Sequence, residues 1–237
     1  MNIQKKSVSL QKLFKSNFIF LLKMKKILTA IVAIFMAAPS FAQFSSGGFS
    51  IDEANLYYGV RAGLTVASIS GDIPEVKPLG SKVGLTLAGI IGLRVSNTAP
   101  VFLESGLYYT ERGAKKSKAA VGYNMLEIPV VAKYGFKVAD ELAILPFLGP
   151  TFSFAISGKA KNIVSTEKGA IGETGTFEEK DWSALKRFNM GFKVGCGAEY
   201  SNLYLELAYQ LGITNICKDS KFSGHSNALL INFGVNF

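Results

Sequence analysis

Cysteine and histidine are nearly missing, with two of the first and one of the second in 237 residues. Such an inventory builds no disulfide scaffold, no cysteine-based zinc site and no histidine cluster, so neither a metal nor another cofactor is expected. Charge is scarce as well: 18% of residues are charged, 49% are hydrophobic, and the mean hydropathy is +0.26. Those values exclude a disordered chain and are too apolar for an ordinary soluble enzyme. After Gln43 no stretch is long and uniformly apolar enough for a membrane-crossing helix. A phosphate-binding glycine loop is absent too, since Gly191, Gly195 and Gly197 fall in a strand-like pattern with no helix after them. What is abundant is glycine, at 24, and aromatic residues, at 12%. That mixture is common in transmembrane β-barrels, and the length suits one domain or one barrel.

Acidic residues are absent before position 43, while Lys5, Lys6, Lys12, Lys15, Lys23, Lys25 and Lys26 all lie there. The formal net charge of +9 therefore belongs to the leader; the remainder carries 19 basic and 17 acidic residues, close to neutral. Nothing in that balance calls for a nucleic-acid partner. Met24-Lys25-Lys26, the 12-residue apolar run Ile27–Ala38 and the small-residue ending Pro39-Ser40-Phe41-Ala42 form the three parts of a secretory signal peptide. Cleavage is expected between Ala42 and Gln43. The alternative, a membrane anchor, fails on length, because a spanning helix needs about 20 residues. Residues 1–23 read as an extended n-region or as an upstream start wrongly assigned, with Met24 the natural beginning. Residues 43–55 read as a short periplasmic segment and 56–237 as the folded domain.

That domain alternates apolar and polar residues with the period of a two-faced strand. Eight strands are predicted, near Tyr57–Ala67, Lys82–Val95, Val101–Arg112, Tyr123–Lys137, Leu142–Ser157, Arg187–Tyr200, Asn202–Gly212 and Asn227–Phe237. The fifth carries Pro146 and Pro150 and is expected to be the least regular. Short turns (Ser96–Pro100, Val138–Glu141, Ser201-Asn202) alternate with longer polar loops, including one between strands three and four and the longest at Gly158–Lys186. Short turns at one end and long loops at the other, with an even strand count, predict an all-β, eight-stranded antiparallel up-and-down transmembrane β-barrel. Both termini then lie at the periplasmic end, and the cell outer membrane is the expected location.

Alternation alone does not choose between a membrane barrel and a soluble lipocalin-like one, because both give the same period. Three features favour apolar-out: the terminal Phe237, the glycines crowding the polar face, and the aromatics near strand ends (Tyr58, Tyr109, Tyr134, Phe136, Tyr200).

Several stretches also look familiar. They are Tyr58-Gly59-Val60-Arg61-Ala62-Gly63-Leu64, Leu126-Glu127-Ile128-Pro129-Val130-Val131-Ala132-Lys133-Tyr134, Pro146-Phe147-Leu148-Gly149-Pro150, Gly195-Cys196-Gly197-Ala198-Glu199-Tyr200 and Leu211-Gly212-Ile213-Thr214-Asn215-Ile216. In these the chain resembles the PorT-like family of small outer-membrane β-barrels of Bacteroidota. Cys196 departs from the small or alanine-like residue usual there. The resemblance implies an eight-stranded barrel but no activity; some members are linked to protein secretion and gliding machinery.

The charges of the mixed face are the main candidate site. Arg61, Arg94, Glu104, Glu127, Lys133, Lys193, Glu199 and Glu206 are expected to form a lumen charge network, with Lys137 and Arg187 also inward. An eight-stranded interior is just wide enough for its own side chains, so a paired plug is expected, with a narrow ion path as the alternative. His225, near Ser223 and Ser226, assembles no triad, and no catalytic residue is assigned. Cys196 and Cys217 fall toward opposite ends and are expected to stay unbridged. Phe237 is the expected recognition signal for the barrel-assembly machinery. Other partners are outer-membrane lipid, secretion-complex proteins and lipopolysaccharide, the last through loop lysines such as Lys115, Lys116 and Lys159; a monomer is expected. The functional reading is a structural or interaction role without catalysis. The alternatives are a small-solute or ion channel, then a lipid-modifying barrel enzyme.

Overall fold

The computed structural model describes residues 55–72, 79–96, 98–116, 119–139, 141–161, 175–176 and 185–237. The signal peptide, its Ala42–Gln43 cleavage site and residues 43–54 lie outside the described residues. Ten strands are formed: β1 (Leu56–Gly71), β2 (Gly80–Arg94), β3 (Val101–Lys116), β4 (Ala119–Tyr134), β5 (Phe136–Ala139), β6 (Leu142–Lys161), β7 (Gly175–Thr176), β8 (Phe188–Tyr200), β9 (Leu203–Gly212) and β10 (Gly224–Asn236). They make eight staves. β5 continues β4 beyond Gly135, and both pair with β6. β7 is a two-residue addition to the outer end of β6. Each stave pairs antiparallel with its neighbours; β1 pairs β10 and β4 pairs β6, so the sheet closes on itself.

Closure extends to the last residue. Phe237 N donates to Tyr58 O at 2.8 Å and Tyr58 N to Phe237 O at 3.1 Å. The short turns are tied together at the same end: Ser201 takes φ 51° and its N–H donates to Glu141 O at 2.9 Å, while Asn236 N donates to Asn202 O at 2.9 Å. Tyr58, Tyr134, Phe136, Tyr200 and Phe237 stand exposed around that rim, as an interfacial girdle does.

The orientation that periodicity left open is decided by burial. Leu207 is 54% exposed and Phe233 55%, whereas Glu206 and Lys133 are 1% exposed. Large apolar side chains cover the outer face of every long strand, and ionised ones are inside. A soluble domain rarely exposes an apolar patch beyond a few hundred Å²; a surface of this kind belongs against acyl chains.

The narrow interior explains the glycines. A side chain on Gly92 would collide with the ring of Tyr57, and one on Gly197 with the ring of Tyr204. In each case an inward tyrosine ring lies against the glycine of the neighbouring, hydrogen-bonded strand.

One expectation is corrected and two are made specific. No long loop joins β3 and β4, because the ladder continues through Lys115↔Ala120 to Lys116↔Ala119. Small residues on both strands let the pairing run on past the membrane pattern. β6 is one continuous strand despite its prolines, and its pairing with β8 is unbroken from Leu142 to Phe154. The interruption falls on the other side, where β4–β6 pairs stop at Pro129↔Thr151 and resume at Ala132↔Leu148. Finally, the inward face is mixed, as its pattern indicates: Ile90, Phe102, Leu145, Phe147 and Leu230 are buried within it.

Two substitutions test the lipid-facing surface and the lumen packing. Leu207→Arg, in mid-strand on the outer face, should cost about 2–4 kcal/mol of folding free energy in lipid vesicles, measured by urea titration. Gly197→Val should cost about 1–3 kcal/mol through overpacking against Tyr204. Gly89→Val, on the outer face with nothing within 4 Å of its added carbon, should leave stability unchanged.

Candidate functional site: the charged lumen

Each long strand sends alternate side chains inward, so polar residues far apart in sequence converge on the barrel axis. Glu104 of β3 is the first hub. It accepts a hydrogen bond from Tyr57 OH at 2.8 Å and pairs with Lys133 Nζ at 2.8 Å and with Arg61 Nη2 at 3.8 Å. The Arg61 guanidinium sits 3.9 Å from the centre of the Tyr204 ring. Glu206 of β9 is the second hub. Lys193 Nζ donates to its Oε1 at 2.6 Å and Asn232 Nδ2 to the same oxygen at 3.0 Å. Tyr204 bridges the hubs, accepting from Lys133 Nζ at 2.7 Å and donating to Glu206 Oε2 at 3.4 Å. Lys193 also lies 4.8 Å from the centre of the Tyr108 ring, a cation–π placement that partly offsets its desolvation.

A second, smaller set lies nearer the outer end. Arg112 grips Glu127 with Nε to Oε1 at 2.8 Å and Nη2 to Oε2 at 2.9 Å, and Thr110 Oγ1 also donates to Oε1. Between the two sets pack Ala67, Val131, Phe147, Ala208, Ala228 and Leu230. Outward of the Arg112 pair, Ala114, Val121, Tyr123, Met125, Ala155 and Leu185 form another buried cluster. The interior is thus stacked in polar and apolar layers. A small cavity beside Arg112, Met125, Ser153, Asn189, Met190 and Gln210 has a volume of ≈ 10 Å³, room for about one water.

Of the eight predicted network residues, the structure brings Arg61, Glu104, Lys133, Lys193 and Glu206 together and sets Glu127 in the separate outer pair. Glu199 is apart, its Oε1 accepting from Asn236 Nδ2 at 2.7 Å and its Oε2 without a hydrogen bond. Arg94 is a correction: it is half-buried near the periplasmic rim, where Nε donates to Ser96 O at 3.0 Å. Lys137 and Arg187 are corrected as well, since both are exposed at the barrel ends, where β5 leaves the alternation and β8 has yet to begin. Arg112 was missed because its strand was read as ending there; the alternation Tyr108, Thr110, Arg112 was the available signal. The inward tyrosines 57, 108 and 204 were missed as polar partners.

His225 lies opposite Ser70, with Nδ1 3.1 Å from Gly212 O. Cys196 is on the outer face of β8, Cys217 is buried beside Leu185 beyond β9, and no disulfide joins them. Among the described residues no group of three potential metal ligands occurs.

The family model of the outer membrane protein beta-barrel domain matches residues 41–218. No curated protein matches the chain. Similar solved structures include the Neisserial surface protein A, at 18% identity over 78% of this chain and 98% of its own, with TM-score 0.44. Ail, the attachment invasion locus protein of Yersinia pestis, is 13% identical over 78% of this chain and 100% of its own, with TM-score 0.39. The N-terminal β-barrel domain of OprF from Pseudomonas aeruginosa is 15% identical over 77% and 98%, with TM-score 0.37.

The pairing energetics are directly testable. Glu206→Leu leaves Lys193 buried without its carboxylate and should cost about 3–5 kcal/mol in urea titrations of the folded barrel. Adding Lys193→Met should restore most of that loss, because an apolar pair of similar volume replaces the ion pair.

Proposed function

The chain belongs to the outer membrane protein β-barrel domain family, and from that premise we propose that it is a sealed outer-membrane barrel with a structural or interaction role, not a pore and not an enzyme. The observation that carries this reading is the interior: Arg61, Lys133 and Lys193 are buried against Glu104 and Glu206, with the Arg112–Glu127 pair stacked beyond them. Opening a water path would separate these pairs. Contact with the outside is left to the loops, and contact with the periplasm to the turns. The resemblance to PorT-like barrels extends the reading to docking on a secretion complex, with Phe237 as the signal read during assembly. His225, held at a backbone carbonyl, takes no catalytic part in it.

Planar-bilayer recording should show insertion without discrete conductance steps; stepwise, ion-selective currents would replace the sealed reading with the channel one. Cross-linking and affinity capture from native membranes should retain a defined protein partner. Recovery of the barrel alone would remove the docking part.

A further inference from the structure

On the outer face, the apolar series stops along one lateral row of three neighbouring strands. Tyr109, Leu126 and Ile156 are followed outward by Glu111, Asn124 and Ser157, which lie side by side: Glu111↔Asn124 and Asn124↔Ser157 are register partners, and Asn124 Nδ2 donates to Ser157 Oγ at 3.0 Å. Such a change from apolar to polar side chains is what a boundary between hydrocarbon and headgroups produces.

The next outward row is Gly113, Gly122 and Lys159, again paired in register. Gly122 faces outward between the buried Val121 and Tyr123. It is half-buried, and a carbon added there would lie 3.1 Å from Lys82 Cε, 3.5 Å from Lys82 Nζ and 3.8 Å from Arg112 O. Lys82 comes from the register irregularity of β2 and reaches across β3 to lie over Gly122. One row further, Lys115 points outward beside the buried Ala114. Gly113 itself is buried, so the three lysines, Lys82, Lys115 and Lys159, gather around Gly122. Among the described residues none of the three is in an ion pair, and the neighbouring carboxylate, Glu111, accepts from Leu85 N at 3.3 Å in the row below.

We propose that this cradle binds a phosphate group of a phosphorylated glycolipid of the outer leaflet, held over Gly122 between Lys82, Lys115 and Lys159. Ammonium groups at the headgroup level supply charge-assisted hydrogen bonds to phosphate oxygens. The absence of a side chain on Gly122 leaves room for the phosphate once the Lys82 ammonium turns to it, and the acyl chains of the same lipid lie along the outer face below. The site needs the apolar-out orientation but not the sealed lumen, so bilayer currents would leave it standing.

The test uses the purified full barrel in detergent, titrated with bis-phosphorylated lipid A, dephosphorylated lipid A and inorganic phosphate. The wild type should prefer the phosphorylated lipid by about tenfold or more. The triple variant Lys82→Gln, Lys115→Gln, Lys159→Gln should lose that preference. Gly122→Val, which keeps every charge and fills the cradle, should lose it too, while Lys218→Gln with Lys221→Gln in the last outer loop should keep it. The proposal is overturned if the triple variant or Gly122→Val retains the preference, or if the loop pair abolishes it, which would mean diffuse attraction. Displacement of the lipid by millimolar phosphate would overturn it in favour of a free-anion site.

Discussion

Within hydrocarbon a backbone N–H or C=O has no solvent to bond, so every strand edge must be covered by another strand. This constraint sets most of the rest. It demands the β1–β10 and β4–β6 seams, and it gives the final residue a structural task, since Phe237 still exchanges hydrogen bonds with Tyr58. Eight staves then fix a narrow interior. A narrow interior admits tyrosine, phenylalanine, arginine and lysine only where the neighbouring strand offers little. Gly92 beneath Tyr57 and Gly197 beneath Tyr204 meet that condition.

The buried charges have a different logic. An ion pair taken out of water gains little over an apolar pair of the same volume, so stability alone does not explain four bases and four acids inside. Their geometry suggests what they contribute. Arg61–Glu104 links β1 to β3, Lys133–Glu104 and Arg112–Glu127 link β4 to β3, and Lys193–Glu206 links β8 to β9. Because side chains alternate, a one-residue slip of any such strand would turn its charge toward lipid. The apolar outer face tolerates many registers; the charged inner face does not. The network therefore selects register, and its closure of the lumen follows from the same packing.

Much of this was legible in alternation. The outward sets Leu203, Leu205, Leu207 on β9 and Leu229, Ile231, Phe233 on β10 stand where the period puts them, and so do inward Glu104, Lys133 and Glu206. What the period lacks is a sense of where a strand ends. Arg112 was lost to an early ending of β3, and Arg187 was gained by an early start of β8, which begins at Phe188. It also carries no partner information. Nothing in the spacing of Glu104 and Lys133 distinguishes their contact from one between Glu104 and Lys193, because pairing across the axis depends on barrel stagger. Proline showed that a ladder would be disturbed but not which one: its cost depends on which neighbour loses a hydrogen bond, and for β6 the β8 ladder kept its register while the β4 ladder was interrupted.

Closure asks only that paired backbone span the hydrocarbon, and on β9, ending at Gly212, the strand stops soon after that is met. β3, β4 and β6 do more. They run past the Glu111–Asn124–Ser157 row to Lys116, Ala119 and Lys161. Sheet above the bilayer surface is under no demand to keep acyl chains on one side, and its composition changes accordingly, to Gly113-Ala114-Lys115-Lys116 on one strand and Ala119-Ala120-Val121-Gly122 on the next. Inward positions there stay small and apolar, with Ala114 and Val121 fully buried, so the wall still caps the lumen. Its outward positions carry glycine and lysine. A barrel that served only to close on itself would have no need of this taller side; the extra rows hold a rigid, cationic surface at the level of the lipid headgroups, in register with the strands that hold the membrane-spanning part in place.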